Sequence, residues 1–308
     1  MQDKIAAIDL GTNSARLLIG SIDSSGRIQP VLLQRHITRL GGGFTKKNGI
    51  SAEARKRTIK ALKDFSGLLK MHDVTHYRAV ATSAVRDAAN GREFVKEVFD
   101  GTGIHLEIID GEEEALLTLQ GVLSGLDDRS GHFFLFDIGG GSTEYTLTRG
   151  GMPLFTKSLP LGVVRLTEGK VTREAMDEKI VRELSNLAAD IDRAGYGKGM
   201  TNATLVGTAG TATTLAAIHL KMDDYDFRKV NNYCLSLDSI RDILRKLSPL
   251  SLEERLRVPG LEKGREDLII AGSLLTVRTM ESFGFDRMKV CDYGLLEGVM
   301  FSIRPDSP

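Results

Sequence analysis

Two short turns carry the residue types that chemistry on an anion needs. Asp9-Leu10-Gly11-Thr12-Asn13-Ser14 and Asp137-Ile138-Gly139-Gly140-Gly141-Ser142-Thr143-Glu144 share an aspartate, an aliphatic residue, a glycine and, three residues on, a serine. Glycines let the main chain come close to a ligand, and successive N–H groups in such a turn form a concave anion site. Asp137 and Glu144 are suited to hold a cation beside that anion. A third loop, Gly207-Thr208-Ala209-Gly210-Thr211, stands between a strand pattern and a helix pattern, where it offers N–H groups and a helix N-terminus. One strand–aspartate turn is ordinary hairpin punctuation. Two copies about one domain length apart, with the third loop, favour phosphate binding. The residues offered are Gly11, Thr12, Asn13 and Ser14; Gly139, Gly140, Gly141, Ser142 and Thr143; and Gly207, Thr208, Gly210 and Thr211. Neither a Rossmann G-x-G-x-x-G nor a Walker G-x-x-x-x-G-K-[ST] is present, because the first two turns lead into strands and no lysine stands at the Walker position.

The elements that must position these loops are legible. Lys4–Ile8 reads as a buried strand, Arg16–Ile22 as its return and Ile28–Arg35 as a third strand. Ser51 is placed to cap a helix whose apolar face is Ile59, Leu62, Phe65 and Leu69. Strands follow at Tyr77–Ala81 and His105–Ile109, with a polar junction at Thr82–Asn90 and a helix over Gly91–Phe99. A helix opens at Gly111-Glu112-Glu113-Glu114-Ala115. The polar stretch Ser124–Gly131 marks a boundary, giving an N-terminal α/β domain over 1–124 and a C-terminal one over 125–308, whose last helix is placed to pack back on the first. The second half restarts the scheme: strand, turn at 137–143, strand, then a third strand over Met152–Ser158. Thr172 caps a helix with Met176, Ile180, Leu184, Leu187 and Ile191 on one face. Ala203–Val206 is a strand, Ser239–Leu247 and Glu266–Phe283 are helices, Met288–Val290 is a strand and Leu295–Ser302 a last helix. The pattern is that of two duplicated halves facing each other across a cleft.

Composition narrows the class. The 308 residues are 41% apolar, enough for sizeable cores, and carry 33 glycines concentrated in a few turns. The 41 basic and 41 acidic residues balance to zero, so an anion site must be local rather than a property of the whole surface. The basic run of Lys46-Lys47 and Arg55-Lys56-Arg57 is interleaved with acidic residues and lacks aromatic platforms, which argues against nucleic acid. Cys234 and Cys291 suit a reduced cytoplasmic protein. Asp9 interrupts the first apolar stretch, so no signal pattern is read there, and no run is long enough to span a membrane. The six histidines form no H-E-x-x-H pattern, and there is no G-x-S-x-G elbow for a serine nucleophile.

Asp9–Ser14, Thr82–Arg86, Gly111–Ala115, Asp137–Glu144, Gly207–Thr211 and Tyr293–Val299 together resemble the successive motifs of the exopolyphosphatase/guanosine pentaphosphate phosphatase (Ppx/GppA) family, over nearly the whole chain. That resemblance implies the actin/hexokinase/Hsp70 ATPase-like superfold: two ribonuclease-H-like α/β domains with an interdomain active-site cleft. It implies a cytoplasmic hydrolase of terminal phosphoanhydride bonds in inorganic polyphosphate or pppGpp, the latter giving ppGpp, and a homodimer. Larger family members add a C-terminal helical module that this chain, ending at Pro308, lacks. The resemblance makes Glu114 the general base that activates water, and Arg86 a phosphate contact, with a salt bridge as its competing role. Glu113 receives no role, and Arg16 and Arg265 are weaker phosphate candidates. Asp137, Glu144 and Asp9 are the expected Mg²⁺ ligands, since Mg²⁺ takes few carboxylates and keeps several waters. Two other readings stay open: an ATP-dependent kinase or ATPase of the same superfold, and a non-catalytic sensor of guanosine tetra- or pentaphosphate.

Overall fold

The computed structural model describes residues 4–44, 48–169 and 172–303, so Lys46 and Lys47 lie outside the described residues. The chain divides into two compact units, Met1–Ser124 with Gly294–Pro308, and Gly125–Tyr293. Among the described residues no helix is long and apolar enough to cross a membrane.

Unit 1 begins with β1 (Ile5–Leu10), β2 (Ser14–Ile22) and β3 (Ile28–Ile37), an antiparallel meander. Then come α1 (Ala52–Met71), β4 (His76–Ala81), α2 (Ser83–Arg86), α3 (Gly91–Thr102), β5 (Leu106–Ile108) and α4 (Gly111–Gly125). The sheet order is β3-β2-β1-β4-β5, with β4 parallel to β1 and β5 parallel to β4. Ser51 caps α1 by accepting from the N–H of Ala54, as its place before the apolar stripe predicts.

Unit 2 repeats the order. It contains β6 (His132–Ile138), β7 (Thr143–Arg149), β8 (Met152–Leu159), α5 (Val163–Gly169), α6 (Arg173–Arg193) and β9 (Thr204–Thr208). Then follow α7 (Ala209–His219), α8 (Phe227–Val230), β10 (Cys234–Ser236), α9 (Leu237–Leu247), α10 (Leu252–Arg255), α11 (Ile269–Phe283) and β11 (Arg287–Val290). Its sheet runs β10-β11-β9-β6-β7-β8. Removing the edge strand β10 leaves the same arrangement as in unit 1, an antiparallel trio joined to a parallel pair. Thr172 caps α6 through the N–H of Ala175. Two sheets of this mixed order, each backed by helices, are the ribonuclease-H-like pair expected of the actin/hexokinase/Hsp70 ATPase-like superfold.

The chain returns to unit 1 as α12 (Leu295–Phe301). Strand β1 is buried at every position, so both of its faces need a cover. Ala6, Ile8 and Leu10 pack with Leu62 and Phe65 of α1 and Phe94 and Val98 of α3. Ile5 and Ala7, on the other face, pack with Leu117 of α4 and Leu295, Leu296, Val299 and Met300 of α12. The two covering helices meet at glycines. A Cβ on Gly121 would stand 1.9 Å from the carbonyl oxygen of Gly294, and one on Gly298 would stand 1.8 Å from that of Leu117. The short side-chain-free seam brings the main chains of α4 and α12 together.

Candidate active site

Each unit places a glycine turn between its first two strands. Gly11 N–H donates to the Ser14 carbonyl at 2.9 Å, and Gly139 N–H donates to the Ser142 carbonyl at 3.0 Å. The carbonyls inside each turn are taken from outside. In unit 1 the Thr12 carbonyl accepts from Gly41 N–H at 2.8 Å and the Asn13 carbonyl from Arg39 N–H at 2.8 Å. In unit 2 the Gly139 carbonyl accepts from Val163 N–H at 3.0 Å and the Gly140 carbonyl from Val164 N–H at 2.9 Å, both at the start of α5. A trans peptide points its C=O and its N–H to opposite sides. The N–H groups of Asn13, Gly140 and Gly141 therefore face away from the segments that hold the carbonyls. This is the orientation a main-chain anion site requires.

Glycine is needed where those segments touch the turns. A Cβ on Gly41 would lie 2.2 Å from Thr12 Cγ2, and a Cβ on Gly162 would lie 2.2 Å from both the Gly140 oxygen and the Gly141 nitrogen. At Gly41 the obstacle is a side chain. At Gly162 it is the main chain of the loop itself. Gly162→Ala is therefore expected to push the 139–141 turn off its position and to destabilise the protein by about 1–3 kcal/mol, read as a lower urea midpoint. An unchanged midpoint would show that the turn yields without cost.

The residue after the turn distinguishes the two copies. Asp9 on β1 is directly opposite Arg16 on β2, and Arg16 donates to Asp9 Oδ2 through Nε at 2.9 Å and Nη2 at 2.7 Å. Asp137 on β6 is directly opposite Glu144 on β7. Both carboxylates are buried, and side chains directly opposite on adjacent strands share one face of the sheet. Glu144 accepts from Ser158 Oγ at 2.7 Å. The duplicated position is thus cationic in unit 1 and anionic in unit 2. Like charges so placed repel, and a divalent cation between them would offset that repulsion. The pair fits Mg²⁺, which is bound through one or two carboxylates with substrate phosphates and water. Among the described residues no group of three or more His, Cys, Asp or Glu stands together as a ligand cluster. Asp9 belongs to unit 1; its Oδ1 is buried without a hydrogen-bond partner while Oδ2 serves Arg16.

The remaining phosphate candidates divide by unit. Thr12 Oγ1 and Ser83 Oγ lie 3.0 Å apart in a buried contact that ties the first turn to α2. Both polar atoms of the buried Asn13 side chain lack a partner; a bound oxyanion would accept from Nδ2 and relieve that part of the cost, roughly 1–3 kcal/mol. In unit 2, Thr208 ends β9 and its Oγ1 donates to the Tyr293 carbonyl at 2.8 Å. Ala209 then starts α7 with a left-handed φ of 61°, a conformation that costs a non-glycine residue energy and tends to mark functional loops. A Cβ on Gly210 would fall about 2 Å from the Arg265 guanidinium. Arg265, anchored to Glu262 at 2.7 Å, therefore lies against the first turn of α7, where two positive features converge on one spot. Gly207 is buried beneath this loop against Met288 and Phe136.

Glu114 lies in the first turn of α4. Asp110 caps that helix, its Oδ1 accepting from Glu112 N–H at 3.0 Å and Glu113 N–H at 2.8 Å. Glu114 itself is buried and takes a hydrogen bond from Arg86 Nη1 at 3.0 Å. The same Nη1 reaches the Ile109 carbonyl at 3.0 Å, whereas Asp87 is 3.9 Å from Arg86 Nε. Arg86 is thus placed on the carboxylate of the expected base. Sequence reasoning passed over Ser83, Gly162 and α5. No sequence signal marks Gly162, which stands alone between Leu161 and Val163.

Comparison with known proteins agrees with this architecture. The Ppx/GppA phosphatase family model matches residues 18–307. Exopolyphosphatase 2 of Mycobacterium tuberculosis is 31% identical over 97% of this chain and 98% of its own. A bifunctional 3-dehydroquinate synthase/phosphatase of Fusobacterium nucleatum is 32% identical over 96% of this chain, which spans only 46% of that larger protein. Among solved structures, the PPX-GPPA enzyme of Aquifex aeolicus matches with a TM-score of 0.80 at 32% identity, covering 97% of this chain and 99% of that one. An exopolyphosphatase from Cytophaga hutchinsonii matches at 0.88 with 27% identity, covering 97% of each chain. On the strength of its sequence and its paired sheets, the chain belongs to the Ppx/GppA phosphatase family.

Proposed function

We propose that the protein is an exopolyphosphatase that hydrolyses the terminal phosphoanhydride bond of inorganic polyphosphate, and that pppGpp, which ends in the same bond, is within its chemical reach. The observation that carries this reading is Glu114, a buried carboxylate on a capped helix turn, held by Arg86. Relatives of near-equal length bearing the name exopolyphosphatase support the choice of substrate. In this reading the Glu114 carboxylate takes a proton from water as the water oxygen bonds to the terminal phosphorus. The bridging P–O bond breaks, releasing orthophosphate and a chain one unit shorter. Each unit offers its own donors to phosphate oxygens: the main-chain N–H groups of the turn at 11–14 with the Asn13 amide in unit 1, and those of the turn at 139–143 and the loop at 207–211 in unit 2. Such transfers depend chiefly on positioning and charge stabilisation. Asp137 and Glu144 would hold Mg²⁺, while Asp9, in the other unit, is a carboxylate that the family resemblance adds to the candidates. The ion, when bound, neutralises charge on the phosphates.

Arg86 does not need to leave Glu114 for this to work. Its guanidinium fixes the carboxylate that must face the water, so its loss is felt through the base. The test is orthophosphate release from tripolyphosphate, long-chain polyphosphate and pppGpp by the purified protein, with ATP as the contrasting substrate. Release from polyphosphate without a nucleotide supports the assignment. Turnover confined to ATP with a small-molecule acceptor would replace it with a kinase, and tight guanosine pentaphosphate binding without release would replace it with a sensor.

A further inference from the structure

One polar network lies next to the base and has no part in the chemistry above. Arg78, on β4, is half-buried and reaches three elements of unit 1. Its Nε and Nη2 donate to Glu107 Oε2 on β5 at 3.0 and 2.9 Å. Nη2 also donates to Glu113 Oε1 on α4 at 2.6 Å. Nη1 donates to Ser302 Oγ, just past α12, at 2.9 Å. The Ser302 hydroxyl gives its own hydrogen to the Val299 carbonyl at 2.7 Å, which leaves its oxygen facing Arg78 as an acceptor. Burial opposes the charge of Arg78, but the hydrogen bonds to Glu113 and Glu107 outweigh it and hold its pKa above the ordinary value.

The first turn of α4 carries Glu112, Glu113 and Glu114 in succession. The helix dipole favours each of them, yet they repel one another, and an arriving polyphosphate repels all three. Two arginines answer this from two directions. Arg86 holds Glu114 directly, and Arg78 holds its neighbour Glu113. With Asp110 capping the main chain of the same turn, the turn is fixed at three points.

We propose that Arg78, acting through Glu113, is a positioning residue that keeps the α4 turn where Glu114 can reach the attacking water; this rests on Glu114 being the base. Glu107 and Glu113 have side chains 54% and 44% exposed, and ion pairs with exposed partners add little to stability. A displacement of about 1 Å at a catalytic group, by contrast, costs up to roughly 10²-fold in rate. The network therefore acts on rate far more than on folding.

The experiment compares Arg78→Met, Glu113→Gln and the double variant in steady-state phosphate release, with thermal melting beside it. Each single change is expected to lower kcat about tenfold or more while KM stays within about twofold, and to shift the melting temperature by no more than about 4 °C. The double variant is expected to be no slower than the slower single, because both changes remove one contact. Arg78→Lys is expected to restore only part of the rate, since an ammonium cannot span three acceptors as a guanidinium fork does. Unchanged kcat in both singles, a rise in KM alone, or effects that multiply in the double variant would overturn the proposal. Glu114→Gln in the same assay separates the two readings. If it is inactive while Arg78→Met is unaffected, only the positioning role falls. If it retains full turnover, the base assignment falls and the positioning role with it.

Discussion

Replacing Glu114 with glutamine is expected to lower turnover on polyphosphate by about 10²–10⁴-fold with little change in KM. Glutamine retains the shape and keeps an amide oxygen to accept from Arg86 Nη1, now 3.0 Å from the carboxylate. The turn and its cap therefore survive the change. What is lost is the capacity to take a proton from water. A fall in kcat and kcat/KM by the same factor is the signature of an interaction made in the transition state. A variant still turning over within about tenfold of the parent would move proton transfer to another group. A fall confined to KM would make Glu114 a binding residue.

Substitution of Glu144 by glutamine is expected to change both metal dependence and stability, with opposite signs in the absence and presence of Mg²⁺. Glu144 and Asp137 are buried and directly opposite on adjacent strands. In a chelator the parent carries the repulsion between them, and the variant does not. Glu144→Gln should therefore melt higher than the parent in EDTA, consistent with the roughly 0.2–1 kcal/mol typical of cross-strand pairs. Saturating Mg²⁺ stabilises the parent by binding its native state, and that gain should shrink or vanish in the variant. Half-maximal activity should need at least about 10–100 times more Mg²⁺, the loss seen when even an outer-shell partner is removed. An equal Mg²⁺-induced shift in both proteins would remove Asp137 and Glu144 as the metal site.

The contrast between Arg16 and Glu144 shows how much of the site could be read without coordinates. Both residues stand seven positions after the aspartate of a turn, so the duplicated motif already contains the substitution. Its meaning came only with the register, which sets Arg16 against Asp9 and Glu144 against Asp137. The turns, the caps at Ser51 and Thr172 and the succession of strands along the chain rest on local signals a few residues in reach, and those were legible; the order of the strands within each sheet was not. Gly162 was not, because its need for a bare Cα comes from Gly140 and Gly141, some twenty residues back along the chain. The short α5 has too few residues to show a period. Arg86 is separated from Glu114 by a helix and a strand, and Arg78 from Glu113 by two helices and a strand, and no spacing rule links such partners.

The return of α12 has a bearing on the order in which the protein is made. Unit 2 is one uninterrupted stretch, Gly125–Tyr293, whereas unit 1 needs residues from both ends of the chain. Synthesis proceeds from the N-terminus and domains generally fold as they emerge. Unit 2 is therefore complete while unit 1 still lacks the helix that covers Ile5, Ala7, Leu18 and Val80. Until α12 closes on α4 along Gly121 and Gly298, Arg78 has no Ser302 to bond and the turn bearing Glu114 has only part of its support. The packing around the Glu114 turn is completed by a segment that follows all of unit 2 in the chain, so a nascent chain that has already built its second glycine turn has yet to finish the scaffold of α4.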